Sequence, residues 1–373
     1  MLVPAETTIE PTAKSAPAGN ESYQALVWRR LRRSFTGMLG LVLVCLLLVM
    51  AVFAGFVAPV DPTQSDASFM PPEVISIHDK DGALVSPRIY PLVDSDKLDP
   101  VTFQPISGPD YDNPRKLGFF VSGFEYRLLG ILPVSGHFFG STDGKPVHFL
   151  GTDKLGRDIL SRAIYGSRVS LMIALTVVTI VTVIGATVGM VSGYRGGAFD
   201  TWVQRFVELV LAFPQLPLYL ALTSLIPVTA PTNVFLAFVI LVMSALGWAQ
   251  MSREVRGKTL ALARIEYVKA AIAIGATDRR IIFQHIFPNV MSHVIVAVTL
   301  NIPNIVLLES FLGFLGFAVK PPLISWGLML QDTANYSVIG SYPWILAPVG
   351  FVLVTVFAFN ALGDGLRDAI DPY

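Results

Sequence analysis

One cysteine, Cys45, is present among 373 residues, so neither a disulfide framework nor a cysteine metal cluster can form within the chain. Charge is scarce as well. Only 14% of residues are Asp, Glu, Lys or Arg, far fewer than a soluble domain of this length carries. The 27 basic and 27 acidic residues cancel, so the net charge points to no partner of either sign. Catalytic signatures are missing: there is no H-E-x-x-H motif and no nucleophile elbow. Val255-Arg-Gly257-Lys258-Thr259 has the tail of a phosphate-binding loop. However, Ser252 stands where that loop needs its first glycine, and no strand precedes it. The five histidines (78, 137, 148, 285 and 293) are scattered, and the spacing of His285 and His293 marks no metal site. No internal repeat is visible.

Apolar sequence is what the chain has in abundance. It is 53% hydrophobic, with a mean hydropathy of +0.60. A bilayer crossing needs about 20 apolar residues in a helix. Six runs qualify: Thr36–Val60, Val169–Val191, Trp202–Leu225, Asn233–Trp248, His293–Phe317 and Ile345–Leu362, the fourth being short. The first is too long for a signal-peptide core and ends in Ala58-Pro59-Val60-Asp61-Pro62, so it reads as an uncleaved helix. An even number of spans puts both termini on one side. Arg29, Arg30, Arg32 and Arg33 precede span one, and Arg253, Arg256, Lys258, Arg264, Lys269, Arg279 and Arg280 follow span four. The bias of basic residues toward the cytoplasm places both clusters, and both termini, inside. The second cluster is short and membrane-tethered, so anionic lipid and a protein partner explain it better than nucleic acid.

The division expected is a disordered cytoplasmic tail over 1–27, then an N-terminal region with span one over 28–60. An extracytoplasmic segment follows over 61–150, and a core of five spans over 151–373. The tail is Pro/Ala/Thr/Glu-rich without periodicity. The outer segment is rich in Pro, Gly, Asp and Ser, with strand-like pieces such as Glu73–Ile77. Residues 118–140 are apolar but interrupted by charge and glycine. They do not read as a span; they read as a buried patch of a small external domain, with a place at the membrane interface as the alternative.

The loop over about 251–290 is the most informative stretch. Glu266-Tyr-Val-Lys269-Ala270-Ala271-Ile-Ala-Ile-Gly275 puts small residues on one side of a short helix, with a glycine able to end it. Thr277 or Asp278 can cap the next helix, entered through Arg279-Arg280, and Pro288 follows. Small side chains let another surface approach the backbone, so this elbow reads as a docking knuckle.

Polar residues inside spans are costly and usually face the bundle interior. Arg205 and Glu208 can pair on one face of span three. Glu309 and Ser310, in the outer half of span five, either line a translocation path or gate, or hold helices together. Pro214, Pro217, Pro303 and Pro348 would kink their spans, and Gly185-x-x-x-Gly189-x-x-x-Gly193 permits close packing. Gly151–Arg168 interleaves charge with glycine. It either braces the outer ends of the spans or is a solvated connector, while Gly363–Asp371 either packs under the bundle or is a tail.

With Pro288-Asn289, the elbow resembles the signature loop of ATP-binding-cassette importer permeases. Lys269 stands where that family has a glutamate directly before the alanine pair, and Glu266 lies three residues earlier. Gly151-Thr-Asp-Lys-Leu-Gly-Arg-Asp158 through Gly166-Ser-Arg168, Phe311–Gly316 with Pro321-Pro322 and Ser325-Trp326-Gly327, Leu362–Pro372 and Arg29–Gly40 are similar to stretches of the oligopeptide/dipeptide (peptide/opine/nickel) branch, C-type subunit. The resemblance covers roughly 28–60 and 150–373. It implies an all-α integral membrane fold of six transmembrane helices, like type I importer permeases, with an extended outer segment between the first two.

It also implies a non-enzymatic translocation subunit importing peptides, opines, sugars, nickel or glutathione. ATP and Mg would be bound by partners and nothing by this chain. Those partners would be a homologous B-type permease, two cytoplasmic ATPases and an external solute-binding protein, assembled in a bacterial inner membrane. Glu266, Lys269, Ala270, Ala271, Gly275, Asp278 and Arg279 would meet an ATPase. A secondary transporter is the alternative, but it calls for inverted repeats and mid-membrane ionisable residues, and neither is evident. A membrane-embedded enzyme would need a constellation that is not found.

Overall fold

The computed structural model describes residues 22–370 apart from 80, 99, 101–104, 129 and 228. The expected tail over 1–27 lies outside the described residues as far as residue 21. Its last part is helical instead: α1 (Tyr23–Arg33) starts one residue after Ser22, whose hydroxyl accepts from the Ala25 N–H. The serine satisfies one of the first-turn N–H groups, and Leu31 of the same helix is buried.

Among the described residues, five helices are long and apolar enough to cross a membrane, and six when one bent pair counts as a single span. The first is α2 (Phe35–Val52), continued by the short α3 (Ala54–Val57). The second, α4 (Ile159–Arg195), begins ten residues before its apolar run, because Asp158 caps it through the Ser161 N–H at 2.7 Å. Its 37 residues extend about 55 Å, well beyond a hydrocarbon core of about 30 Å. The third run is not one rod. α5 (Gly197–Ala212) and α6 (Gln215–Thr223) meet at 82°. Pro214 between them lacks an N–H and disfavours a helical Phe213.

The fourth, α7 (Thr232–Leu262), carries its helix past the apolar part into the basic loop. Within that loop lie α8 (Glu266–Ala273) and α9 (Asp278–Arg280). A π turn over Ile281–Ile286 then leads into α10 (Phe287–Phe314). α11 (Trp326–Leu330), α12 (Tyr336–Ser341) and α13 (Ala347–Ile370) complete the chain.

Glycines set the closest helix crossings. The Gly185/Gly189/Gly193 stripe of α4 lies on α7. A Cβ on Gly185 would sit 2.7 Å from the Trp248 carbonyl, and one on Gly189 would sit 2.5 Å from that of Ser252. Small residues allow backbones to approach to this degree. Gly37 and Gly40 of α2 meet Gly365 and Leu362 of α13 in the same way. Arg30 donates to the Ala369 carbonyl at 3.4 Å, so the described N- and C-terminal ends lie together. The Gly363–Ile370 stretch therefore packs under the bundle, and Asp371 lies outside the described residues.

The outer segment is β-structured. β1 (Ile75–His78), β2 (Leu84–Ile89), β5 (Arg115–Leu128) and β6 (Leu132–Ser141) form an antiparallel sheet in the order β1-β2-β5-β6, and β3 (Leu92–Leu98) pairs with β4 (Pro105–Pro109). Residues 118–140 therefore belong to a long hairpin. They are not a buried patch, since Phe119, Phe120, Ile131, Leu132 and Phe138 remain exposed. The hairpin meets the bundle along α3, where Tyr126 rests on Gly55 and Phe56 packs against Phe120 and Phe138. That contact leaves much of the hairpin uncovered.

The base of the outer segment is clamped to α4. Buried His148 lies 3.1 Å (Nδ1) from Asp158 Oδ1 and 3.0 Å (Nε2) from Asp66 Oδ2. Its backbone N–H donates to Glu73 Oε2 at 2.8 Å. Ion pairs run through the Gly151–Arg168 stretch: Arg157 to Asp153 and Lys154 to Asp332, both at 2.7 Å. Arg168 donates to the Ala51 and Val52 carbonyls at 2.7 and 3.1 Å, where α2 breaks before α3. This stretch braces the ends of the spans and is not a loose connector.

Candidate functional site

The elbow between α7 and α10 stands at the end of the bundle that holds the chain's N- and C-terminal helical ends. The space there is lined jointly by Tyr23, Glu254, Lys258, Asn289 and Arg367. α8 ends in a paired hydrogen-bond lock: the Ala276 N–H reaches the Ala271 carbonyl at 3.0 Å, and the Gly275 N–H reaches that of Ile272 at 2.9 Å. This termination needs a left-handed residue, and Gly275 supplies it with φ +85°. Thr277 then caps α9 by accepting from the Arg280 N–H at 3.4 Å.

The alanine pair divides. Val268 belongs to the core cluster that also contains Ile281 and Ile286 at the foot of α10, and Ala271 is buried as well. Ala270 is exposed, as are Glu266, Lys269, Gly275, Asp278 and Arg279. Beside them Tyr267 and Ile274 are exposed too, Ile274 by 87%. One face of α8 thus grips the spans, and the other presents small and apolar residues ringed by charge.

Two further ties hold the elbow in place. Asn289 donates to the His285 carbonyl at 2.7 Å and to the Tyr267 hydroxyl at 3.2 Å, linking α8 to the start of α10. Tyr194, in the last turn of α4, donates to Asp278 at 3.1 Å. The π turn has a local cause. Pro288 has no N–H to give, and the Phe287 N–H reaches back five residues to Ile282. Nearby, Arg256 of α7 holds Asp200 of α5 through two hydrogen bonds of 2.6 Å each. Such bidentate pairs fix orientation as well as distance. Sequence reading missed Tyr194, Tyr267 and the Asp200–Arg256 pair, because no spacing rule connects residues on different helices.

Glu309 and Ser310 lie toward the opposite end of α10 and are both buried. Ser170 of α4 donates to Glu309 at 3.0 Å and accepts the Trp326 N–H at 3.1 Å. The Trp326 indole donates to the Ala163 carbonyl at 2.8 Å. Glu309 therefore sits where α4, α10 and α11 join, remote from the elbow. Arg205 and Glu208 do pair at 2.9 Å, but on an exposed surface.

A bundle of apolar helices of spanning length, with a capped and half-exposed knuckle at one end, defines a polytopic membrane protein. The family model of the binding-protein-dependent transport system inner membrane component matches residues 185–373. A second model, the N-terminal TM domain of oligopeptide transport permease C, matches residues 22–72. The oligopeptide transport system permease protein OppC of Haemophilus influenzae is 42% identical over 226 residues, 60% of this chain and 70% of that one. OppC of Escherichia coli K12 is 42% identical over 60% of this chain and 72% of its own length. The dipeptide transport system permease protein DppC of Bacillus subtilis is 39% identical, over 60% of this chain and 68% of its own. A chain from inward-facing conformations of the MetNI methionine ABC transporter superposes with a TM-score of 0.45 at 18% identity, covering 56% of this chain and 96% of that one.

The chain belongs to the family of binding-protein-dependent transport system inner membrane components, and it is a transmembrane permease subunit of an ATP-binding-cassette importer. The family works with a second permease, ATPases and a solute-binding protein in general. Nothing in these relationships favours a secondary transporter.

Proposed function

We propose that this chain is the C-type permease of a peptide importer. It would pair with a homologous B-type permease and take up short peptides delivered by an extracytoplasmic binding protein. Similarity to oligopeptide and dipeptide permeases supports that cargo class. Two cytoplasmic ATPases bind ATP and Mg, and this chain binds no nucleotide and catalyses no reaction. The membrane is the cytoplasmic membrane of a bacterium, with both termini and the elbow inside. The flanking arginines and lysines support that orientation. Anionic lipid is the other contact of the basic loop, and nucleic acid is not one.

The observation that carries this reading is the two-faced α8. Its exposed side, built from Ala270, Gly275 and Ile274 with Glu266, Lys269, Asp278 and Arg279 around it, suits a groove on an ATPase. Its buried side carries Val268, which packs in one cluster with Ile281 and Ile286 and so transmits displacement to the foot of α10. Closure of the ATPases on ATP then stabilises one arrangement of the spans over the other.

The experiment is purification of the tagged chain in mild detergent from cells expressing its operon. A stoichiometric ATPase and a second permease are expected to accompany it. Recovery of the chain alone, with solute uptake intact in vesicles containing only this polypeptide, would refute the assignment.

A further inference from the structure

The β5–β6 hairpin has the wrong composition for a turn in water. From Leu128 to Phe139 it carries no Asp, Glu, Lys or Arg. At its end Ile131 is 78% exposed and Leu132 is 60% exposed. Hairpin tips facing water are built from Gly, Asn, Asp and Ser, which satisfy their own backbone. A charge-free apolar tip needs another solvent or another protein.

The position of the tip identifies that solvent. Gly130 lies in a cleft lined by Leu48, Ala51, Val52, Arg168, Leu171, Met172 and Leu175. These residues belong to the outer turns of α2 and α4. Leu48 lies one helical turn inside the end of α2, about 6 Å along its axis. The same part of the bundle exposes Val49 and Val52 of α2 and Met172 of α4, the outward apolar face that a membrane span turns to lipid. The tip therefore reaches the depth at which the helices themselves face acyl chains.

Further up the hairpin, Phe119, Phe120 and Phe138 form a partly exposed aromatic group around Phe56, at the end of span one. Aromatic rings gather at the boundary between headgroups and hydrocarbon. Arg127, exposed just above the tip, has a stem long enough to keep its charge among the headgroups.

We infer that the β5–β6 hairpin is an interfacial lipid anchor, with its tip at Gly130–Leu132 immersed in the outer edge of the bilayer beside spans one and two. The outer edge of β6 limits the depth. Unpaired strand N–H and C=O groups cannot be left in hydrocarbon, whereas headgroups and interfacial water can satisfy them. The anchor would hold the sheet, and through it the clamp at His148, at a set height above the membrane. The inference rests on membrane insertion of the chain and is independent of its cargo.

The presence of a single cysteine makes the test direct. Cys45 is replaced by serine, a nitroxide is attached at Ile131→Cys, and the complete transporter is placed in phosphatidylethanolamine–phosphatidylglycerol nanodiscs. A second sample carries the label at Lys145→Cys in the exposed loop after β6. At position 131 broadening by oxygen is expected with loss of broadening by a water-soluble nickel chelate, and the reverse is expected at 145. Nickel broadening at 131 equal to that at 145 would overturn the inference in favour of water. Exclusion of both reagents at 131 would overturn it in favour of a protein occupant such as the second permease.

Discussion

Gly275 is held in a backbone conformation that side chains resist. A Cβ there meets open space, yet φ is +85°. Any side chain therefore costs conformational energy without a clash, roughly 1–2 kcal/mol for an ordinary residue. Gly275→Val should loosen the end of α8 and lower transport-coupled ATPase activity in proteoliposomes, and Gly275→Asn should be milder because Asn tolerates this region. Equal, wild-type coupling in both would separate the knuckle from force transmission. The glycine was legible in sequence as a helix stop. That Ala271 turns inward while Ala270 faces out was not, since the packing of α8 against the foot of α10 decides it.

His148 is the second residue with a distinct signature. Burial pushes its pKa down. The hydrogen bond and charge of Asp158, then the hydrogen bond of Asp66 and the charge of Glu73, outweigh burial, and the net shift is upward. A raised folded-state pKa means that the clamp's stabilisation is fully present below the unfolded value of about 6.5 and is lost as pH rises through the folded one. Hydrogen-exchange protection around residues 66–73 and 148–158, taken relative to the intrinsic exchange rate at each pH, should therefore fall from mildly acidic toward alkaline pH, and His148→Gln should flatten that dependence. An unchanged pH profile in the variant would remove His148 as its origin.

At the level of elements, the α4–α7 crossing depends on backbone proximity. A leucine at Gly189 cannot fit with the Ser252 carbonyl 2.5 Å from its Cβ, so α4 must move away. Gly189→Leu should lower the melting temperature of the detergent-solubilised complex more than Gly257→Leu, a position with nothing within 4 Å of a Cβ. α11 depends on Trp326, fully buried with two hydrogen bonds. Trp326→Ala should cost roughly 3–5 kcal/mol, read as early thermal aggregation. The G-x-x-x-G stripe was visible as a small-residue pattern, but its partner helix was not. The 82° bend at Pro214 was visible only as a kink, because a proline frees a helix to bend without setting the angle.

At the scale of the whole molecule, the sheet between the first two spans rests on α3 and is clamped to the start of α4. Deleting about residues 70–145 should leave the spans able to assemble while weakening uptake at low substrate concentration, through poorer docking of the binding protein. Uptake assays across substrate concentration, with membrane insertion checked in parallel, would measure this. Undiminished uptake at low substrate would detach the segment from delivery.

The membrane character, the number of apolar runs and the presence of a capped elbow were determined by the sequence alone. Each depends on local quantities: hydropathy over about 20 residues, the absence of charge, and a glycine at a helix end. The tertiary structure decided that 118–140 pairs as a hairpin, that its tip descends beside α2 and α4, and that Glu309 meets Ser170. Those outcomes depend on contacts between residues far apart in the chain. The same apolar residues can be satisfied by a strand partner, a helix or lipid, and only the folded arrangement selects among them.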